Sequence, residues 1–378
     1  MKTFTTATIF GLAGLSLARQ CQNISVPVTI SSVNAEFNVK TPVTDIEVTD
    51  FVLNYTQLGK NFPASVKTGT KTINGTYKLA VTLCNPDDGQ SDTVQLLSHG
   101  GGFDRTYWDI PFNSYNYSYV AVAVDQFHYS TLTWDRLGFG QSQHGDALNE
   151  IQFQLETEAL NALTTLLRQG KISNTSKPFA KVVHIGHSFG SALTYAFTQQ
   201  HPTASNGIAL TGFSTNGSFA SLLAYGSNFI QANTLPHLKH YPNGYIAVSD
   251  ASALHIGFLA PNQFDPAILT YAIQNLNTPI TIGEMLTFGS AVSQANSFAG
   301  PTLVITGERD LPFCGGNCFV SPSAEFATIP DAVKAALPQS RNFTAVVVPD
   351  AGHGLNLEFG HGFTYRTVNE YLLENVGV

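Results

Sequence analysis

Lys181-Val-Val-His-Ile-Gly-His-Ser-Phe-Gly190 is the stretch on which the fold turns. Apolar and β-branched residues lead into Gly186-His187-Ser188-Phe189-Gly190, and Ser191-Ala-Leu-Thr-Tyr-Ala-Phe197 follows at helical spacing. The pattern predicts a strand, a sharp turn and a helix, with Ser188 at the apex. A G-x-S-x-G turn holds its apex residue in a strained backbone conformation. Glycine at both flanks removes the Cβ atoms that would clash there. The helix that starts at the apex points its N–H groups, and its positive end, at any anion formed beside Ser188.

The start of the chain points to export. Met1-Lys2, an apolar run from Ile9 to Leu17, and small residues at Ser16 and Ala18 form the pattern of a secretory signal peptide cleaved after Ala18. That run is too short to span a bilayer, and no later stretch is long enough. Seven N-x-S/T triplets (Asn23, Asn54, Asn74, Asn116, Asn174, Asn216 and Asn342) are candidate glycosylation sites. The four cysteines, an even count, suggest two disulfides in an oxidising compartment. Of the three pairings, the preferred one joins Cys314 to Cys318 across a tight loop and Cys21 to Cys84, tying the N-terminal arm to the body. C-x3-C can also hold a metal, but no second close pair stands at ligand spacing, so no metal is assigned. A net charge of −8 argues against a nucleic-acid partner, which requires a basic face.

Outward from the Ser188 turn, short apolar runs alternate with helical patterns. Residues 19–66 read as an irregular, extended arm. Thr70–Ile73 and Thr76–Leu83 flank Asn74-Gly75, a strong hairpin signal. Val94–Leu97 reads as a strand running into His99-Gly100-Gly101-Gly102, and Tyr119–Val124 as a buried strand. Residues 146–169 carry apolar positions at three- and four-residue spacing, with Gly170 as the stop. Ile208–Leu210, Thr302–Ile305 and Phe343–Val348 read as further strands, and a last helix passes through Tyr365–Leu373. Such alternation implies an α/β fold with a mostly parallel sheet flanked by helices. Residues 213–299 break the rhythm. They are rich in aromatic residues and prolines, and they read as a helical lid inserted between two strands of a core formed by 94–212 and 300–378.

A serine hydroxyl is a poor nucleophile until a base lies in reach and a carboxylate orients that base. In a doubly wound sheet these groups lie just beyond strand ends. Asp310 follows Thr302–Thr306, and His353 follows Val346–Val348 in a glycine-flanked loop. The candidate catalytic residues are therefore Ser188, Asp310 and His353, with Glu308 the rival acid and Asp350 a weaker one. The candidate oxyanion donors are the backbone N–H of Phe189 and that of Gly101 or Gly102, where missing side chains let the backbone approach a carbonyl. Removing one such donor typically costs about 10²–10³-fold in rate.

From Val94 onward the sequence resembles the α/β-hydrolase superfamily. The resemblance rests on His99–Gly102, the Asp135–Ser142 loop, Gly186–Gly190, Gly307–Asp310 and Gly352-His353-Gly354. It implies the α/β-hydrolase fold with a mostly parallel sheet, a lid after the sixth strand and a Ser-Asp-His triad; no cofactor is assigned. Relatives that cleave haloalkanes or epoxides carry Asp at the nucleophile position and dienelactone hydrolases carry Cys, so Ser188 argues against both. The expectation is a secreted serine hydrolase that cleaves a carboxylic ester or lactone of an apolar or aromatic small molecule. The alternative is the same pocket used for acyl transfer, or for a lyase or cyclisation step. The sequence assigns no role to residues 19–93 and no oligomeric state.

Overall fold

The computed structural model describes residues 19–174, 176–289, 295–321 and 323–378. The segment read as a signal peptide lies outside these residues, as do residues 290–294 of the insertion. The core is one eight-stranded sheet. Its strands in chain order are β1 (Gln20–Phe37), β2 (Lys67–Asn85), β3 (Thr93–Ser98), β4 (Ser130–Trp134), β5 (Lys181–His187), β6 (Ile208–Thr211), β7 (Thr302–Gly307) and β8 (Thr344–Val348). In space they run β1-β2-β4-β3-β5-β6-β7-β8. Every pair from β4 to β8 is parallel, whereas β1 and β2 are antiparallel to their neighbours. The inner strands β3, β5, β6 and β7 are buried on both faces, almost throughout. That burial is why they read as largely apolar runs, broken by buried polar residues such as Gln95 and His184.

Helices cover both faces. In chain order the principal ones are α1 (Asp45–Tyr55), α2 (Phe62–Val66), α3 (Phe153–Gln169), α4 (Phe189–Gln200), α5 (Ala220–Gly226), α6 (Ala251–Phe258), α7 (Pro266–Asn275), α8 (Ile282–Phe288) and α9 (His361–Asn375). Gly170 ends α3 in the left-handed region, φ 65°, where glycine carries no Cβ penalty. Cys21 is bonded to Cys84, directly across the β1–β2 pair, and Cys314 to Cys318. Among the described residues no helix is long and apolar enough to cross a membrane.

Four elements differ from their sequence reading. Asn74-Gly75 makes no turn. It lies inside β2, where Asn74 pairs with Ser31 and Gly75 with Ile30. Pairing along the 18 residues of β1 outweighs a local hairpin with short arms. The glycine has another use there: an added Cβ would fall 2.9 Å from the Tyr77 ring. The arm 19–66 is correspondingly not irregular; it is the long strand β1 followed by α1 and α2. Tyr119–Val124 is not a strand but the start of two joined helical turns, Tyr119–Ala121 and Val122–Gln126, begun by Ser118 Oγ accepting from the Ala121 N–H at 2.8 Å. Tyr119, Val120, Ala123 and Val124 are its buried positions, a helical spacing within a run short enough to pass for either element. The true strand is the next one, Ser130–Trp134. Finally, the 213–299 insertion is not purely helical. It also holds a three-stranded antiparallel sheet of Ile230–Gln231, Tyr245–Ala247 and Ile280–Thr281.

Candidate active site

Ser188 sits where β5 becomes α4, with φ 55° and ψ −115°. A non-glycine residue held there costs of order 1–3 kcal/mol, and the surroundings must enforce it. They do so through backbone contacts. The Ser188 N–H donates to Thr211 O at 2.9 Å, and Ser191 Oγ donates to the same oxygen at 2.8 Å. A Cβ on Gly186 would meet the Gly190 carbonyl at 2.3 Å, and one on Gly190 would meet Ser98 O at 2.2 Å. Both glycines of the motif are therefore required by close backbone approach.

The ends of β5, β7 and β8 bring three predicted residues into one hydrogen-bonded run. Ser188 Oγ lies 2.8 Å from His353 Nε2, and His353 Nδ1 lies 2.8 Å from Asp310 Oδ2. Asp310 Oδ2 also accepts from Thr306 Oγ1 at 2.5 Å, and Oδ1 accepts from the Phe313 N–H at 2.9 Å. An acceptor at Nδ1 leaves Nε2 free to take a proton from the serine. Glu308 stands apart from this run, and its carboxylate accepts from the Asp350 N–H at 3.0 Å. His353 is buried, and the rings of Phe258, Phe313 and His187 lie around it. Its loop is pinned to the insertion. Gly354 N–H donates to Phe258 O, while Glu358 accepts from the N–H groups of Gly352 and Ala260. Burial pushes the Glu358 carboxyl up to about 7.

The glycine loop after β3 lies beside the apex. A Cβ on Gly100 would fall 3.1 Å from Ser188 Cβ, and Gly102 has φ +79°. His99 fixes the loop from behind. Its Nδ1–H donates to Gly100 O at 2.8 Å and its Nε2 accepts from the Arg136 N–H at 3.0 Å. Burial, reinforced by the Arg136 charge, keeps this imidazole neutral. Gly101, Gly102, Ser188 and Phe189 together line a cavity of about 130 Å³. Its remaining walls are largely apolar and come mostly from the insertion, including Leu223, Phe229, Phe258 and Phe288.

The profile of the alpha/beta hydrolase family matches residues 95–364. The chain belongs to that family. Among solved structures it is similar to an esterase from Thermogutta terrifontis, at 18% identity with TM-score 0.52, covering 79% of this chain and 94% of that one. It is also similar to the enol-lactonase from Burkholderia xenovorans LB400, at 16% identity with TM-score 0.51, covering 78% and 96%. An alpha/beta hydrolase fold protein from Chitinophaga pinensis gives 13% identity and TM-score 0.51, covering 78% and 94%. No curated protein matches the chain. Identities this low establish the fold alone.

This alpha/beta hydrolase also has a feature that no motif announced. Arg136, Glu156 and Glu284 form a fully buried ion cluster, with one guanidinium nitrogen bonded to both carboxylates. The guanidinium also lies over the Phe189 ring, 4.2 Å from its centroid. Burial raises the Glu156 carboxyl well above the ordinary range. Glu284 caps α8 of the insertion through Thr281 and lines the cavity, so the cluster ties the insertion to α3 of the core. Tyr55 and Asn216 also reach the cavity, the former from the N-terminal arm. Nothing within a few residues of Arg136, Glu284 or Tyr55 encodes these meetings, since each partner is remote in sequence. The exception is Thr281-x-x-Glu284, a capping-box pattern readable in advance.

Proposed function

We propose that this hydrolase cleaves a carboxylic ester or lactone of an apolar or aromatic small molecule through an acyl-enzyme on Ser188. The observation that carries the reading is the run Ser188–His353–Asp310 opening into an apolar cavity. In the first half-reaction His353 Nε2 takes the proton of Ser188 Oγ as that oxygen attacks the carbonyl carbon. The N–H groups of Phe189 and of Gly101 or Gly102 receive the resulting oxyanion, helped by the positive end of α4. His353 then returns the proton to the departing alkoxide, leaving the acyl group on Ser188. In the second half-reaction a water loses its proton to His353 and attacks the acyl carbon, and His353 gives that proton to Ser188 Oγ as the bond to the acyl group breaks and the acid leaves. Asp310 holds the imidazole in the required tautomer and stabilises its cation throughout. No step calls for a metal or cofactor.

The insertion acts as a lid in this reading, because its residues form most of the cavity wall above Ser188. Residues 1–18 direct secretion, which suits a chain with two disulfides. Six of the seven sequons are exposed, and Asn216 is half-buried at the cavity. The test is turnover of a panel of p-nitrophenyl esters and aryl lactones by the wild-type protein and by Ser188→Ala. Robust wild-type turnover lost in the variant supports the reading; equal turnover by both, at equal folded fraction, overturns it.

A further inference from the structure

Tyr55, Gly217 and Ala220 line the Ser188 cavity, and the same three residues line a second, larger depression of about 670 Å³. One wall of that depression is the α1–α2 connection, including Leu58, Lys60 and Asn61, and the facing wall includes Ser221 and Leu286 of the insertion. The two compartments thus adjoin at these three residues, and the outer one is a groove between the N-terminal arm and the insertion. The two compartments differ in chemistry. The inner one is apolar. Among the described residues the groove is lined by Lys60 and Lys67 and by no carboxylate, in a chain whose net charge is −8.

We propose that the groove is a second substrate subsite, supplied by the N-terminal arm, for the extended half of a two-part ester. A compact apolar group occupies the inner cavity, the ester lies at Ser188, and the other half passes Tyr55 and ends in a carboxylate facing Lys60 and Lys67. This rests on the serine-hydrolase reading above and adds a substrate class to it.

Size gives the first argument. A dry apolar cavity of about 150 Å³ holds one benzene molecule, so about 130 Å³ accommodates a group of that order and no long chain. A longer substrate must leave the cavity, and the shared lining at Tyr55, Gly217 and Ala220 marks where the two compartments meet. The second argument is that the groove wall is held in place. Val48, Phe51 and Val52 of α1 pack in one buried cluster with Ile282, Met285 and Leu286 of α8. Tyr55 ends that helix, stacked near Phe51, and burial raises its phenol above the ordinary range. The third argument is charge. Two ammonium groups without a carboxylate among the lining attract an anion, and Leu58, 98% exposed at the rim, offers apolar surface to the methylenes that precede it. The family profile begins at residue 95 and does not cover the arm, so the wall that carries Lys60 and Lys67 lies outside the part of the chain that the family shares.

The experiment compares benzoate esters of ω-hydroxyalkanoic acids of increasing chain length with benzoate esters of the matched n-alkanols. Both series are run on the wild-type protein and on Lys60→Glu/Lys67→Glu, whose exposed positions tolerate charge reversal. The readout is the ratio of kcat/KM, acid over neutral ester, and the same ratio taken from protection of Ser188 against a fluorophosphonate probe, which needs no turnover. The wild type should prefer the acid series from one chain length onward. The double variant should lower that preference about tenfold, chiefly through KM, and added salt should erode it in the wild type. A ratio that is the same in both proteins, with Ser188 reactive, overturns the subsite alone. A Ser188 that does not react with the probe overturns the hydrolase reading and the subsite with it.

Discussion

Two buried polar clusters meet at Phe189 and use burial in opposite ways. Ser188, His353 and Asp310 form an open run: the Ser188 hydroxyl donates to His353, His353 donates to Asp310, and the first group, Ser188, is 7% exposed on the cavity wall. Arg136, Glu156 and Glu284 form a closed knot, 0–1% exposed, in which Glu284 touches the cavity wall but spends its carboxylate on Arg136 and on the cap of α8. The open run is strained at its apex and held by neighbouring backbone. The knot instead holds neighbours, joining a core helix to the insertion. Facing the cavity therefore does not by itself make a buried polar network reactive: the open run ends there in a nucleophilic hydroxyl, the knot in a carboxylate already paired. Such a paired cluster couples parts, and losing one member strands the others.

The comparison breaks most visibly if the open run is cut. Ser188→Ala should lose about 10⁴-fold or more of esterase turnover with little change in unfolding midpoint, measured as kcat and by denaturant titration. Cutting the far end should do nearly as much. Asp310→Asn leaves the wrong imidazole tautomer favoured and should cost about 10⁴-fold in kcat, whereas Glu308→Gln should cost less than about tenfold. The reverse ranking on one activated ester would move the acid to Glu308.

The knot should answer in stability. Arg136→Met leaves two buried carboxyls without their cation and should cost roughly 3–5 kcal/mol in chemical denaturation. Glu156→Gln should cost under about 1.5 kcal/mol, since burial already favours the uncharged form of that side chain. Equal losses in the two variants would mean that Glu156 is ionised and the knot is a conventional triad.

The smallest effect concerns Glu358, which braces the His353 loop. Folding raises its carboxyl from 4.5 to about 7, so the folded chain keeps the proton to higher pH than the unfolded chain. The stability this contributes is complete below about pH 4.5 and is lost as pH rises through about 7. The stability advantage of wild type over Glu358→Gln should therefore shrink by roughly 1–3 kcal/mol between about pH 4.5 and about pH 8. An advantage that grows with pH would show the carboxyl to be depressed instead.

What the sequence disclosed follows the same division. The open run was legible because its parts sit at strand ends in short-range motifs: Gly186–Gly190, Gly307–Asp310 and Gly352–Gly354. Most of the parallel sheet was legible because strands buried on both faces are largely apolar; Ser130–Trp134, with two threonines and a serine, was not. The knot was not, since Arg136, Glu156 and Glu284 are remote from one another in sequence and only the tertiary fold brings them together. Tyr119–Val124 failed because a six-residue apolar run satisfies both a strand and a buried helical turn. Asn74-Gly75 failed because a strong local turn signal lost to a partner strand more than forty residues upstream. Tyr55 was invisible for the same reason: its place in the cavity depends on α1 packing against α8.

The central claim is that Ser188 is the activated end of the open run, and labelling of the native protein by a fluorophosphonate tests it most directly. Peptide mapping after brief exposure should find one modification, on Ser188, absent in Ser188→Ala and much slower in Asp310→Asn. No modification of the native protein, or one at another residue with Ser188 untouched, would contradict the account.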